Sequence, residues 1–465
     1  MTGTTICAPA TSGTGAIAVI RISGPDTFGI VDQIFVPATE GKKLEDQPTA
    51  TIHFGTIRQG EEVVDEVLVS VFRAPHSYTG ENAVEISCHG SPYIQKRILE
   101  MLTEAGAQPA GPGEFTQRAF LHGKMDLSQA EAVADLVAAE SEGAHRVAMQ
   151  QLRGGFSEKL KELRDRLLRF ISLIELELDF SEEDVEFADR KELTRLVNEI
   201  SDMINGLVGS FRLGNVLKNG VPVAIVGRPN VGKSTLLNAI LNEDRAIVSE
   251  HEGTTRDTVE DTIVLDGICF RFIDTAGLRE TAEPIETLGI RRTYQKIRQA
   301  SIVLLLTEAG DDPDLIKRSM EVIREQLEGD SRQLVLVLNK ADNVSGEALE
   351  RLREEILLEK NEHLIAISAR ERENIEGLAE LLLDLVNIGS IRHQDVIISN
   401  IRHYNALKSA SESLDRVSQG LSSPLPTDLL AQDIREVLHY LGEITGEVTT
   451  DEILGNIFKN FCIGK

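Results

Sequence analysis

Gly227-Arg-Pro-Asn-Val-Gly-Lys-Ser234 directly follows a short apolar run, Val221 to Val226, and precedes a helix-type segment, Thr235 to Leu241. Strand, GxxxxGKS and helix in that order make a P-loop. Successive backbone N–H groups wrap phosphates, Lys233 reaches the outer ones, and the Ser234 hydroxyl can ligate Mg²⁺. The cradle spans Asn230, Val231, Gly232, Lys233, Ser234 and Thr235. This predicts a nucleoside triphosphate and leaves the base open.

Later motifs choose the base. Asn339-Lys340-Ala-Asp342 follows the apolar run Leu334 to Leu338, and Ser368-Ala369-Arg370 follows Leu364 to Ile367. In an NKxD motif the Asp carboxylate accepts from the N–H edge of guanine; adenine offers no such donor pair and would leave a carboxylate unpaired. Asp274-Thr275-Ala276-Gly277, after Cys269 to Ile273, fits the segment that senses a γ-phosphate through Mg²⁺. Gly253-Thr-Thr255 reads as the other switch segment, with Thr255 as second hydroxyl ligand to Mg²⁺. A guanine-nucleotide α/β domain follows.

The residue after DxxG is Leu278, which cannot orient a water. Either hydrolysis is very slow or the catalytic groups come from elsewhere. Spacing singles out none of the local arginines, Arg228, Arg256 and Arg279. Asn230 offers another route: its amide oxygen, with backbone carbonyls of the Ser249–Thr254 loop, can cage a monovalent cation where an arginine finger would insert. Asn in a turn also has a purely conformational explanation.

At 465 residues the chain exceeds one ordinary core, and two to four domains are expected. No apolar run approaches the ~20 residues of a membrane helix. The N-terminus has no signal-type core, so secretion is not expected. Cys7, Cys88, Cys269 and Cys462 lie far apart with no CxxC, which suits a reducing cytoplasm and disfavours structural zinc. A net charge of −27 would repel a polyanion such as RNA, so any such contact needs a local basic patch or a more basic partner. Lys159 to Arg169 and Arg291 to Arg298 are the candidates, and a solvated helical face is the simpler account of each.

The expected architecture is a multidomain α/β and α fold. Residues 1–120 form an α+β domain, with strands at Ile17–Ile22, Thr51–Ile57, Glu66–Phe72 and Ala83–Ser87 and a helix over Tyr93–Ala105. Residues 121–218 and 387–465 carry apolar residues at helical spacing (Leu160, Leu163, Leu167, Phe170, Ile171 and Ile174 among them) and read as two parts of one discontinuous helical bundle. Helices are expected over Leu429–Leu441 and Asp451–Phe461. A Ras-like P-loop GTPase domain, 219–386, is then inserted between them. Glu175 to Glu186, with seven carboxylates and no Lys or Arg, reads as a metal or partner site or, more simply, as a solvated helix end.

Beyond these motifs the whole chain resembles the MnmE (TrmE) family of bacterial tRNA-modification GTPases. The resemblance rests on Arg21-Ile-Ser-Gly24, Tyr78-Thr-Gly-Glu81, Gly111-Pro-Gly-Glu-Phe-Thr116, Leu127-Ser-Gln-Ala-Glu-Ala132, Gly253-Thr-Thr-Arg-Asp257 and the terminal Phe461-Cys-Ile-Gly-Lys465. It implies a cytoplasmic homodimer joined through the N-terminal domains, acting as a heterotetramer with a FAD-dependent partner, MnmG. Together they would add an aminomethyl or carboxymethylaminomethyl group at C5 of the wobble uridine of certain tRNAs, using 5-formyl- or methylenetetrahydrofolate. GTP hydrolysis to GDP and phosphate would be K⁺-activated by face-to-face G-domain pairing. The K⁺ cage maps onto Asn230, Ser249, His251 and Thr254, and the water-orienting residue onto Glu286, with Glu283 its nearby competitor. Catalysis would use Lys233, Glu286, Asn230 and Thr255. The folate positions map to Arg21, Glu85, Lys124 and Lys465: cations for a glutamyl tail and an acidic acceptor for a pterin.

Cys462 serves this chemistry as nucleophile or acid, or is a small buried cysteine beside a cofactor. His89 is either a metal ligand or, more simply, a satisfied histidine at a strand end. The rival function is a regulatory or ribosome-assembly GTPase, whose G domain would look the same. Such a factor usually appends a basic RNA-binding module, whereas these flanks are acidic.

Overall fold

The computed structural model describes residues 3–11, 13–39, 41–179, 190–241, 246–248, 261–273, 297–327, 332–386, 397–422, 427–459 and 461–465. The chain forms two compact units. One comprises residues 1–137, 149–204 and 405–465, the other 138–148 and 205–404.

The first unit holds a seven-stranded sheet. Its strands are β1 (Ile6–Pro9), β2 (Ile17–Ser23), β3 (Phe35–Pro37), β4 (Thr51–Gln59), β5 (Glu62–Phe72), β6 (Ala83–His89) and β7 (Gln108–Pro109), in the order β3-β4-β5-β6-β2-β1-β7. Pairing is antiparallel except between β1 and β7. Alternation decides the faces: Val67, Val69 and Val71 are buried beneath the helices Thr27–Val31 and Pro92–Glu104. The other face leaves Ile52, Phe54 and Leu68 exposed, and register places Arg21 opposite Glu85 on that same face.

All four expected strands and the helix are present, each within a few residues of its expected ends. The strands β1, β3 and β7 were not anticipated. Two to four residues long and ending in proline, they show too little alternation to be read. Helices Gly155–Asp179 and Thr427–Thr445 pack together, with Leu160, Leu163, Leu167 and Ile171 buried on one and Ile434, Val437 and Leu441 buried on the other. The helix expected over Asp451–Phe461 ends at Phe458, where the chain turns into the terminal pentapeptide. Three cations of the basic stretch Lys159–Arg169 are ion-paired: Lys159 meets Glu162 at 3.2 Å, Arg166 meets Glu199 at 3.0 Å, and Arg164 pairs with Glu447. Residues 291–296 of the second basic stretch, and most of the acidic run after Asp179, lie outside the described residues.

The second unit holds β8 (Val221–Gly227), β9 (Ala246–Val248), β10 (Asp261–Leu265), β11 (Ile268–Phe272), β12 (Ile302–Glu308), β13 (Gln333–Asn339) and β14 (Glu362–Ala366). The order is β14-β13-β12-β8-β11-β10-β9, parallel from β14 to β11 and antiparallel beyond. Strand β8 is apolar on both sides because both faces are covered. Val223 and Ile225 face helices Lys233–Leu241 and Ile375–Leu385; Ala224 and Val226 face helix Pro313–Leu327. The chain moves from β8 to β11 on one side, then crosses back to β12 on the other. The carboxyl end of β8 is therefore the topological switch point, where ligands bind in such sheets.

Candidate functional site

The GxxxxGKS loop sits at that switch point, between β8 and helix Lys233–Leu241. Its shape comes from backbone angles few residues adopt: Asn230 has φ +65° and Gly232 φ +99°. A Cβ on Gly232 would stand 2.3 Å from Asn339 Nδ2, so only glycine fits. Lys233 Nζ donates to the carbonyls of Gly227 (2.5 Å) and Arg228 (3.0 Å), which places its ammonium inside the cradle. Ser234 lies on the first turn of the helix, whose N-terminal N–H groups favour an anion. Val231 is buried, and Thr235 belongs to the same turn.

The base loops are tied to this cradle by one side chain. Asn339 is 3% exposed; its Nδ2 donates to Val231 O at 2.8 Å, and its Oδ1 accepts from Ala369 N at 3.0 Å. Asn339 therefore staples the phosphate loop to the Ser368–Arg370 loop. Ser368 is closed by paired backbone hydrogen bonds with Glu373, at 3.1 and 3.0 Å. Lys340 takes the left-handed conformation (φ +60°), and Asp342 and Arg370 are exposed. The cradle, Asn339, Asp342 and the Ser368–Arg370 loop are thus one site at one sheet edge. The other expected residues, Ser249, His251, Thr254, Thr255, Asp274, Thr275, Ala276, Gly277, Glu283 and Glu286, lie outside the described residues.

In the first unit, segments far apart in sequence converge on one polar corner. The Arg21 guanidinium donates to Glu85 Oε1 from Nε (2.9 Å) and Nη2 (2.7 Å), and from Nη1 to Gly464 O (3.3 Å). Its carbon stands 5.3 Å from the Tyr78 ring centre and 5.7 Å from that of Phe115. Tyr78 in turn meets the Thr116 hydroxyl at 2.8 Å. The terminal residues are bound in place: Ile463 bridges Pro112, and a Cβ on Gly464 (φ +96°) would stand 2.0 Å from Pro9 O. Lys124 reaches the neighbouring turn, with its stem against Gly80 and Nζ donating to Pro75 O at 3.0 Å. Arg21, Glu85 and the residue before Lys465 are in contact; Lys124 stands at the next turn.

Behind this corner lies a buried network the sequence did not announce. Arg118 donates to Thr4 O (2.7 Å), Glu81 Oε1 (3.2 Å) and Glu114 Oε1 (2.8 Å), and Ser23 Oγ donates to Glu81 Oε2 (2.8 Å). Glu81 and Glu114 of the family motifs are therefore structural. Cys462 is exposed, which overturns the buried alternative. His89 is the satisfied strand-end histidine: Nδ1 lies 2.7 Å from Asp65 Oδ1, and its N–H donates to Oδ2 of the same residue. No metal-binding group of three acidic, His or Cys side chains occurs among the described residues.

The corner presents a guanidinium–carboxylate pair beside the half-buried Tyr78 ring, with an exposed lysine at the next turn, groups that a pterin with a carboxylate tail would need. The Asn230 carbonyl can offer an oxygen beside the phosphates, and Ser234 a hydroxyl.

The second unit is thus a P-loop domain with a guanine-type base loop: the class is the guanine-nucleotide-binding proteins. Family models extend the assignment to the rest of the chain, "GTP-binding protein TrmE N-terminus" over residues 5–124 and "MnmE helical domain" over 127–462. This chain belongs to the MnmE (TrmE) family. Proteins called tRNA modification GTPase MnmE are similar along its full length. That of Bacteroides thetaiotaomicron is 54% identical over 99% of both chains. That of Christiangramia forsetii is 52% identical over 99% of both, and that of Cytophaga hutchinsonii 48% identical over 100% of this chain and 98% of the other.

Proposed function

We propose that this chain is a GTP hydrolase acting in tRNA wobble-uridine modification. The observation that carries the nucleotide reading is Asn339, one buried amide holding the phosphate loop and the base loop in register. The tRNA reading is supported by relatives with that activity in their names, matched from end to end. It also separates this chain from a regulatory or ribosome-assembly GTPase, which would share the G domain alone.

In this reading Lys233 neutralises the outer phosphates, and Ser234 with Thr255 and the Asp274–Gly277 segment holds Mg²⁺ and the γ-phosphate. Asp342 reads guanine, with Asn339, Lys340 and Ser368–Arg370 supporting it. Asn230, Ser249, His251 and Thr254 form a K⁺ cage whose charge stands where an arginine finger would, and Glu286 orients the water. Arg21, Glu85, Lys124 and Lys465 hold a tetrahydrofolate one-carbon donor, and the uridine chemistry is shared with the flavin-dependent MnmG. The exposed face of Ile52, Phe54 and Leu68 suits burial in a homodimer of N-terminal domains.

The deciding experiment is GTP turnover in KCl against NaCl at equal ionic strength. Because Asn230 sits at φ +65°, Asn230→Ala would add backbone strain, so Asn230→Gly is the cleaner variant. Strong K⁺ stimulation in the wild type, lost in Asn230→Gly, is expected; equal rates in the two salts would remove the cation mechanism. Unchanged wobble uridines in tRNA from a deletion strain would remove the biological role.

A further inference from the structure

Four charged side chains meet at the turn that follows β12. Arg228, the second residue of the phosphate loop, pairs with Asp311 Oδ2, and that same oxygen accepts the backbone N–H of Glu308 at 3.1 Å. The Glu308 carboxylate pairs with Lys340 of the base-recognition motif. The turn is closed by Asp311 N donating to Glu308 O at 3.0 Å, and it is joined to β13 by Ala309 N donating to Asn339 O at 2.8 Å. Two carboxylates on one turn thus hold a cation from each of the two loops that would enclose the nucleotide.

Neither carboxylate belongs to a recognised nucleotide motif. The side chain of Asp311 is 16% exposed, whereas Arg228, Glu308 and Lys340 are 48%, 36% and 38% exposed. A lone exposed pair contributes little to stability. Here, however, the links run in series through one rigid turn, and Lys340 is a non-glycine residue at φ +60° that needs outside support.

We propose that Glu308 and Asp311 are positioning residues, and that the turn 308–311 braces the phosphate loop against the guanine loop and so slows nucleotide release. This rests on the guanine-nucleotide reading above and adds the residues that set residence time.

The test is release of a fluorescent GDP analogue from the full chain, with steady-state GTP turnover alongside. Asp311→Asn and Glu308→Gln keep shape and hydrogen-bonding capacity while removing charge. Each should speed release by about threefold to tenfold, as expected for a coupled surface network. KM for GTP should rise in step, while the maximal rate changes by less than about twofold. Arg228→Gln combined with Asp311→Asn should be no faster than the faster single variant, because both remove one link. Added salt should accelerate wild-type release more than Asp311→Asn release. Unchanged release in both single variants would overturn the brace, as would additive effects in the double variant. A fall in thermal midpoint and maximal rate with no change in release would overturn it too, by making the role structural. A wild type that binds no GDP analogue would remove the nucleotide reading itself, and the brace with it.

Discussion

The two candidate sites are built on opposite plans. The nucleotide cradle is six contiguous residues, Asn230 to Thr235, just past the end of β8, completed by short loops at the ends of β13 and β14. Its working groups are largely backbone amides, so its sequence requirement is conformational: glycine or asparagine where φ must be positive. The polar corner takes side chains from β2, β6, the turn at Tyr78 and the helix Glu114–Leu121, and a backbone carbonyl from Gly464, 443 positions from Arg21. Its requirement is that charges in a folded interior meet their partners, which any sequence order can satisfy. Backbone-made sites therefore leave a signature in one window, and side-chain-made sites do not.

The sharpest way to break that contrast is Gly232→Ala. The added methyl meets Asn339 Nδ2 at 2.3 Å and forces alanine to φ +99°. Strain of this kind costs about 1–3 kcal/mol before the clash is counted. Guanine-nucleotide binding should weaken by at least about 100-fold, read by fluorescence titration. Binding of 5-formyltetrahydrofolate, measured by calorimetry on the same variant, should not change. Loss of both would mean that the sites are not separable.

The converse substitution is Arg118→Ala. It removes the side chain that joins Thr4, Glu81 and Glu114, and it leaves two carboxylates with side-chain exposures of 12% and 20% without the cation that pairs them. Breaking such a buried pair costs about 3 kcal/mol. The thermal midpoint of the first unit should fall, while affinity for the GDP analogue stays as in the wild type. Retention of full stability would mean that water or a rearranged partner satisfies both acids.

These two residues also show how far the sequence could be read. Gly232 was legible because the spacing GxxxxGKS encodes a backbone path, and Asn339 because it stands at a strand end in NKxD. The short strands β1, β3 and β7 were illegible for want of periods. Arg21 and Glu85 came only through family resemblance; nothing local says that β2 and β6 are neighbours with Arg21 opposite Glu85. Arg118, Asp311 and Glu308 carried no signal, since an arginine on a helix and acids in a turn are ordinary surface residues until a fold encloses them.

The smallest effect tests the terminus, where the sequence left two readings of Cys462. Burial, with the nearby Asp65 charge adding to it, pushes the Cys88 thiol up to about 11. Burial likewise raises Cys269 to about 11, helped by Glu140, and burial raises Cys7. At pH 8 a thiol of pKa 11 is thiolate about one time in a thousand, and the thiolate is the nucleophile. Cys462 is exposed. A thiol reagent added to the native chain at pH 8 should therefore label one cysteine in a fast phase and three slowly. Raising the pH should speed the labelling of Cys88 and Cys269 about tenfold per unit while it stays below 11, because deprotonation is still incomplete there. Cys462→Ser should delete the fast phase alone. If the fast phase survives that substitution, the reactive thiol is not at the tail, and the corner that Gly464 and Ile463 close would have lost its most accessible reacting atom.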